Sequence, residues 1–256
     1  MNGKKKQSYR FLLWELVKKG IKLKYRRSYL GIIWTLIEPI LTTIVLTIVF
    51  GTIFHKSDKS FAVYILTGRM LYSYFSTSTN AAMKSIRANA SMIKKVYVPK
   101  ILYPLANSLY TYIIFLISLI VLVGAMIVRD VHPTLNLLWV WIPLLQLFLL
   151  SFGVGLILVT IEVPFRDMEY MWNVCLLIIM YASAIFYDAE TILESKYALL
   201  MKCNPLYMVI RTFRHCILGT AMEWNWVIYG TICSVGSVLV GYVLFKMNED
   251  KFILHI

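Results

Sequence analysis

Acidic side chains are scarce: 13 Asp and Glu stand against 26 Lys and Arg, and charged residues together fill only 15% of the 256 positions. A soluble domain is about a quarter charged. No GxxxxGK[ST] occurs, so the backbone cradle and lysine that hold nucleotide phosphates are missing, and the chain is not its own P-loop ATPase. HExxH and GxSxG are absent too, which removes the zinc-peptidase and serine-hydrolase patterns. Cys175, Cys203, Cys216 and Cys233 are scattered without a CxxC pair, so neither a zinc site nor a disulfide framework is indicated. His55, His132, His215 and His255 are isolated from one another and read as interface or packing residues.

What is abundant is apolar surface, at 59% of residues, with a positive mean hydropathy. Several separate apolar stretches approach the roughly 20 residues that cross a bilayer, which predicts one polytopic membrane domain and leaves no room for a large soluble one. The net charge of +13 could suggest nucleic acid as a partner, but the positions of the charges argue otherwise. Ten basic residues precede position 28, five lie from Lys84 to Lys100, and Arg166, Lys246 and Lys251 follow, so 18 of the 26 flank apolar spans on what would be one side. Positive residues beside spans set orientation, so the excess reads as topology, with both ends cytoplasmic and no nucleic-acid role.

The expected fold is all-α, a single domain over 1–256 with six transmembrane helices. Residues 9–26 alternate Phe11, Trp14, Val17 and Ile21 with Lys18, Lys19, Lys22 and Arg26 at helical spacing, which predicts a helix lying in the cytoplasmic interface. Spans are expected at 32–54, 61–83, 103–128, 135–161, 171–187 and 226–245. Basic residues 84–98, ending before Pro99, predict a short cytoplasmic helix. Between Asp188 and Glu223, two apolar stretches flank Asn204-Pro205, each too short to span, which predicts re-entrant outer helices over 190–218. The second span carries Thr67, Arg69, Ser73, Ser76, Thr77, Ser78, Thr79 and Asn80, a face that lipid does not tolerate, so it must turn towards protein or a water-filled path. Its Tyr64, Tyr72, Tyr74 and Phe75, with Tyr181, Phe186 and Tyr187 of the fifth span, are candidate walls of such a channel. Arg69, roughly 12 Å below the outer end of its helix at 1.5 Å per residue, needs water, Glu38 or a ligand phosphate as partner.

The order of these features is recognisable. Tyr25-Arg26-Arg27-Ser28-Tyr29-Leu30-Gly31-Ile32-Ile33-Trp34, Pro39 in the first span, Ile93-Lys94-Lys95-Val96-Tyr97-Val98-Pro99-Lys100, Pro164-Phe165-Arg166-Asp167 and Asn204-Pro205-Leu206, with Phe213-Arg214 and Leu218-Gly219 after them, resemble the ABC-2 permeases that export lipid-linked polysaccharides, O-antigen and teichoic acids. The likeness covers nearly the whole chain, and Arg69 departs from it, standing where relatives usually have an apolar residue. The resemblance implies a homodimer in the bacterial cytoplasmic membrane joined to two copies of a nucleotide-binding subunit. ATP and magnesium would sit in that subunit, with no cofactor, metal or catalytic residue here. The basic cytoplasmic helix would be the coupling helix, with Arg87, Asn89, Lys94, Lys95 and Tyr97 as contacts to the ATPase. Tyr25, Arg26, Arg27, Tyr29 and Gly31 would stand at the cytoplasmic entrance for the pyrophosphate of an undecaprenyl-linked glycan. Two other functions compete: an exporter of a small lipid or drug on the same scaffold, which usually carries a larger outer domain, and a membrane-embedded glycan-modifying enzyme. The enzyme needs clustered acids or metal ligands, and the inner cluster Glu162, Asp167 and Glu169, with Arg166 among them, reads more simply as a local ion-pair network.

Overall fold

The computed structural model describes residues 2–26, 29–53, 59–95, 98–187 and 198–252, and among them every regular element is helical. In chain order these are α1 (Asn2–Tyr25), a 3₁₀ turn (Gly31–Ile33), α2 (Trp34–Ile53), α3 (Lys59–Met83), α4 (Ser85–Ala88), α5 (Ala90–Ile93), α6 (Leu102–Val128), a 3₁₀ turn (Leu135–Trp139), α7 (Trp141–Glu162), α8 (Met168–Tyr181), α9 (Ala198–Lys202), α10 (Pro205–Leu218) and α11 (Trp224–Asn248). Four stretches, Gly31–Phe50, Leu102–Val128, Leu135–Glu162 and Trp224–Asn248, are long and apolar enough to cross a membrane. The chain is therefore a membrane protein.

α3 and α7 form the middle of the bundle. α3 packs against α2, α6, α7 and α10, and α7 against α3, α6, α10 and α11. In α3, Val63, Ile65, Leu66, Leu71, Thr67, Ser78 and Thr79 are all buried, so its polar face is turned into protein, as the cost of hydroxyls in lipid requires. Two of these hydroxyls are satisfied locally: Thr67 donates to the Tyr64 carbonyl at 2.9 Å and Thr79 to that of Phe75 at 2.8 Å. α7 and α11 approach to backbone contact. A Cβ on Gly153 would lie 2.4 Å from the Ser237 carbonyl carbon, and one on Gly241 would lie 2.5 Å from the Gly153 oxygen. Small residues permit this approach, which supplies the dispersion energy that water cannot supply in lipid. Gln146 of α7 adds donations to the Val227 carbonyl (2.9 Å) and to Thr231 (2.8 Å).

Three elements differ from the sequence expectation. The basic helix expected at 84–98 is two four-residue helices, broken at Asn89 (φ −115°, ψ 17°), whose side chain donates to the Ser85 carbonyl; positions 96–97 lie outside the described residues. The fifth span, expected at 171–187, is helical only from Met168 to Tyr181, and the chain then turns with Ala184 at φ +47°. Of the outer segment expected at 190–218, positions 190–197 lie outside the described residues, and α9 and α10 make up the rest. Asn204 caps α10, its side chain accepting from the Leu206 N–H at 3.0 Å. Pro205 takes the first helical position and Gly219 closes the helix at φ +72°.

Contacts sort the element ends into two layers. One layer holds α4, α5, the turn between α7 and α8, and the end of α11, where Lys100 donates to the Glu249 carbonyl and Phe252 packs on Phe245. The other holds residues 129–140, the turn after α8, and α9 and α10, where Asn136 donates to the Thr220 carbonyl at 2.8 Å.

Candidate functional site

Three groups of polar residues stand out, one at each layer and one between. In the first layer, Arg87 of α4 lies 3.0 Å from Glu162, a carboxylate with no exposed surface, and 3.3 Å from Glu169, which also pairs with Lys84. The hydrogen bond from Lys84 and the charge of Arg87 hold the Glu169 carboxyl below its usual range. This ties α4 to both ends of the turn between α7 and α8. Of the proposed ATPase contacts, Arg87 is thus engaged within the protein, Asn89 bonds its own helix, Lys94 and Lys95 are exposed at the end of α5, and Tyr97 lies outside the described residues.

In the opposite layer, Arg214 of α10 is 6% exposed and donates to the carbonyls of Ala184 (2.8 Å), Tyr64 (3.0 Å) and Ile185 (3.3 Å), with its guanidinium 3.4 Å from the centre of the Tyr64 ring. Those carbonyls belong to the turn after α8 and to α3, so one buried cation joins three elements. Arg211, a turn earlier, pairs with Glu223 at 2.7 Å and donates to the Tyr207 hydroxyl oxygen at 2.7 Å. Neither arginine stood among the candidate site residues, because their partners are backbone carbonyls and a distant carboxylate that no periodicity announces.

Between the layers lies a cavity of about 120 Å³ bounded by the end of α1 and by α2, α3 and α6. Lys24 and Tyr25 come from α1, Trp34 and Glu38 from α2, Arg69 and Tyr74 from α3, and Thr111 and Ser118 from α6. Among the described residues, neither Glu38 nor Arg69 has a carboxylate or cation within ion-pair distance; Arg69 only leans over the Tyr72 ring, 5.7 Å from its centre. A second cavity of about 480 Å³ lies between α1, α4 and α6, and Lys24 lines both.

The sequence candidates for a channel therefore separate. Arg69 and Tyr74 line the central cavity, Tyr74 stacked on Phe115 at 4.9 Å. Tyr72 is buried and donates to the Leu176 carbonyl at 3.0 Å, Phe75 packs on Trp172, and Phe186 stacks on Phe50 at 4.8 Å. Tyr64 donates to the Tyr187 carbonyl at 2.9 Å beneath Arg214, and the Tyr187 hydroxyl donates to the Tyr181 carbonyl. The Tyr181 ring is exposed. At the proposed entrance, Tyr25 lines the cavity, Arg26 and Tyr29 are exposed, Gly31 takes φ +50°, and Arg27 lies outside the described residues.

The model of the ABC-2 type transporter family matches residues 12–218, from within α1 to the end of α10. The chain belongs to the ABC-2 type transporter family. Among its relatives are the O-antigen export system permease protein RfbA of Klebsiella pneumoniae, 27% identical over 244 residues that cover 94% of this chain and 93% of the relative, and the protein of the same name from Myxococcus xanthus, 27% identical over 80% of each. The polysialic acid transport protein KpsM of Escherichia coli is 23% identical over 91% of this chain and 92% of its own.

Proposed function

We propose that this chain is the permease subunit of an ATP-driven exporter that moves a lipid-linked surface polysaccharide, of the O-antigen or capsule kind, out across the bacterial cytoplasmic membrane. The observation that carries the reading is the likeness to polysaccharide export permeases over 94% and 91% of this chain. In this reading α2, α3, α6, α7, α8 and α11 are six crossings. α3 qualifies by length, about 37 Å for 25 residues, despite its polar face. α8, about 21 Å for 14 residues, completes its crossing through the turn that Arg214 holds. The basic layer is cytoplasmic, together with both chain ends.

Two permeases pair, and two copies of a nucleotide-binding subunit dock on the layer that carries Lys94 and Lys95, with Tyr97 as a further contact. ATP with magnesium is bound and hydrolysed in those subunits. Arg87 receives their movement and passes it, through Glu162 and Glu169, to α7 and α8. The lipid pyrophosphate enters beside Tyr25, Arg26, Arg27, Tyr29 and Gly31, since guanidinium groups suit phosphate oxygens through forked hydrogen bonds. The polymer then passes the exposed Tyr181 face, with Tyr72, Phe75 and Phe186 supporting that wall from behind.

The test is ATPase activity of the purified protein alone and co-expressed with its nucleotide-binding subunit, in wild type and in a Lys94→Ala, Lys95→Ala, Tyr97→Ala variant. Activity confined to the co-purified complex, and weakened on the order of tenfold by the triple change if it removes about 1.4 kcal/mol of docking energy, is the expected result. Absence of a stable complex with any ATPase, or unchanged surface polymer in a strain lacking the gene, overturns the reading.

A further inference from the structure

The central cavity has a donor and acceptor balance of its own. Glu38 and Arg69 face it from antiparallel helices: Glu38 lies fifteen residues, about 22 Å, from the outer end of α2, and Arg69 ten residues, about 15 Å, from the outer start of α3. The two charges therefore stand at different depths, offset by roughly 7 Å, and are not paired with each other. Lys24 on the same wall acts on Glu38 through its charge, Arg69 has no carboxylate at ion-pair distance among the described residues, and both charges are costly inside a membrane unless something bridges them. A bridging group must donate to the carboxylate and accept from the guanidinium at once.

The remaining wall narrows the chemistry. Thr42, Thr111 and Ser118 each spend their hydroxyl proton on a carbonyl of their own helix, at 2.8 Å to Glu38, 2.9 Å to Asn107 and 2.7 Å to Phe115. Towards the cavity these oxygens are left as acceptors. With the two oxygens of Glu38 they face the donors of Arg69, Lys24, Tyr25 and Tyr74 on the same wall. A wall that mixes acceptors with donors suits hydroxyl groups, which both donate and accept, better than a phosphate or carboxylate, which accepts only. Trp34 and Tyr74 add aromatic surface for an apolar C–H face. At about 120 Å³, against roughly 10–15 Å³ needed per water, the space holds on the order of ten waters, or one sugar ring in their place.

We infer that this cavity is a saccharide subsite inside a single protomer, which holds one neutral sugar ring with Glu38 accepting from vicinal hydroxyls and Arg69 donating to them. Lys24, shared with the larger cavity on the basic layer, marks its approach. The inference deepens the export reading, since the ring belongs to the exported glycan, but the binding chemistry stands on the cavity alone.

The test is saturation-transfer NMR on the full-length protein in lipid nanodiscs, with methyl α-mannoside, methyl β-galactoside, methyl β-glucoside and N-acetylglucosamine as probes and inorganic phosphate and glucuronate as competitors. Wild type, Glu38→Gln, Arg69→Leu and Arg69→Lys are compared, and thermal unfolding of each confirms the fold. At least one neutral glycoside is expected to bind, with affinity falling about tenfold or more in Glu38→Gln and Arg69→Leu, as loss of a hydrogen bond to a charged group implies, and partly restored in Arg69→Lys. Phosphate is expected not to compete. Binding that ignores both charges, no binding of any glycoside, or displacement by phosphate or glucuronate overturns the subsite. Should glycoside binding follow the expected pattern while loss of the gene leaves surface polymer intact, the export reading fails and the subsite stands.

Discussion

Two arginines at depth in the bundle meet opposite surroundings. Arg214 is closed in by three carbonyls and the face of Tyr64, and the chain after α8 turns through a left-handed Ala184 to present two of those carbonyls to it. Arg69 borders a cavity and has a tyrosine ring at 5.7 Å but no carboxylate within ion-pair distance among the described residues. A charge held by several backbone carbonyls and a ring face holds a fold together. A charge left facing open space in a membrane protein costs stability and persists for what it binds. The contrast separates a structural cation from a functional one by its partners, although both have the same side chain.

The largest effect is expected from removing the satisfied cation. Arg214→Met removes three hydrogen bonds from a charged donor. The Tyr64 carbonyl keeps Thr67 and the Ala184 carbonyl keeps the Tyr64 hydroxyl at 3.3 Å, but the Ile185 carbonyl loses its cation, so a loss of about 3 kcal/mol in unfolding free energy is expected in detergent or bicelles, with little protein reaching the membrane. A variant as stable as wild type would break the comparison. Next comes Gly68→Ala. A Cβ there would stand 2.6 Å from Arg214 Nη2 and 3.4 Å from the Ile185 backbone, and the guanidinium cannot retreat without giving up its carbonyls; about 1–3 kcal/mol of destabilisation is expected. Combining it with Arg214→Met should cost less than the sum, which a double-mutant cycle measures.

A smaller effect belongs to the rim of the same cap. Burial pushes the Glu223 carboxyl up, but the hydrogen bond and charge of Arg211 outweigh it and hold the group below its usual range. A carboxyl lowered by folding contributes stability that is fully present above the ordinary carboxylate pKa and is lost as pH falls through its folded value. With Glu223 at 39% exposure, screening leaves about 0.5 kcal/mol. Unfolding midpoints followed from pH 7 down to pH 4 should show a drop in wild type that Glu223→Gln removes.

How legible the two arginines were in the sequence differs for a physical reason. Arg69 announced itself, because a charge inside an otherwise apolar and hydroxylated 25-residue helix violates the solvent preference of its surroundings, and Glu38 was within sight as a partner. The long helices were equally visible, since α6 and α11 are nearly continuous apolar runs, and Asn204-Pro205 is the local grammar of a helix start. Arg214 read as a family motif without a role, because what fixes it is the end of α8, thirty residues away, whose termination at Tyr181 has no breaker in the sequence. For the same reason the aromatic candidates of α3 could not be sorted: Tyr72, Tyr74 and Phe75 lie within about one turn of one helix, and only packing against Leu176, Phe115 and Trp172 distinguishes those that line a cavity from those buried behind it. Glu162 and Glu169 were legible as a local ion-pair network, but their partners are Lys84 and Arg87 and not the neighbouring Arg166, a choice made by tertiary contact.

The smallest expected change in stability is the most informative. Arg69→Leu removes a cation that repays none of its desolvation through an ion pair, so the unfolding free energy should change by less than about 1 kcal/mol, or rise, as replacing buried charge with apolar volume often does. Export of surface polymer, measured by extraction of cells carrying the variant permease with its ATPase, should fall nonetheless. That dissociation of stability from function is what Arg214→Met cannot show, since its polymer is lost only as the protein is lost. If Arg69→Leu is instead destabilised by as much as Arg214→Met, then Arg69 is holding the helices of the resting fold together, Glu38 is its partner in the membrane, and the distinction between the two cations collapses. If Arg69→Leu is stable and exports normally, the cavity is not on the path.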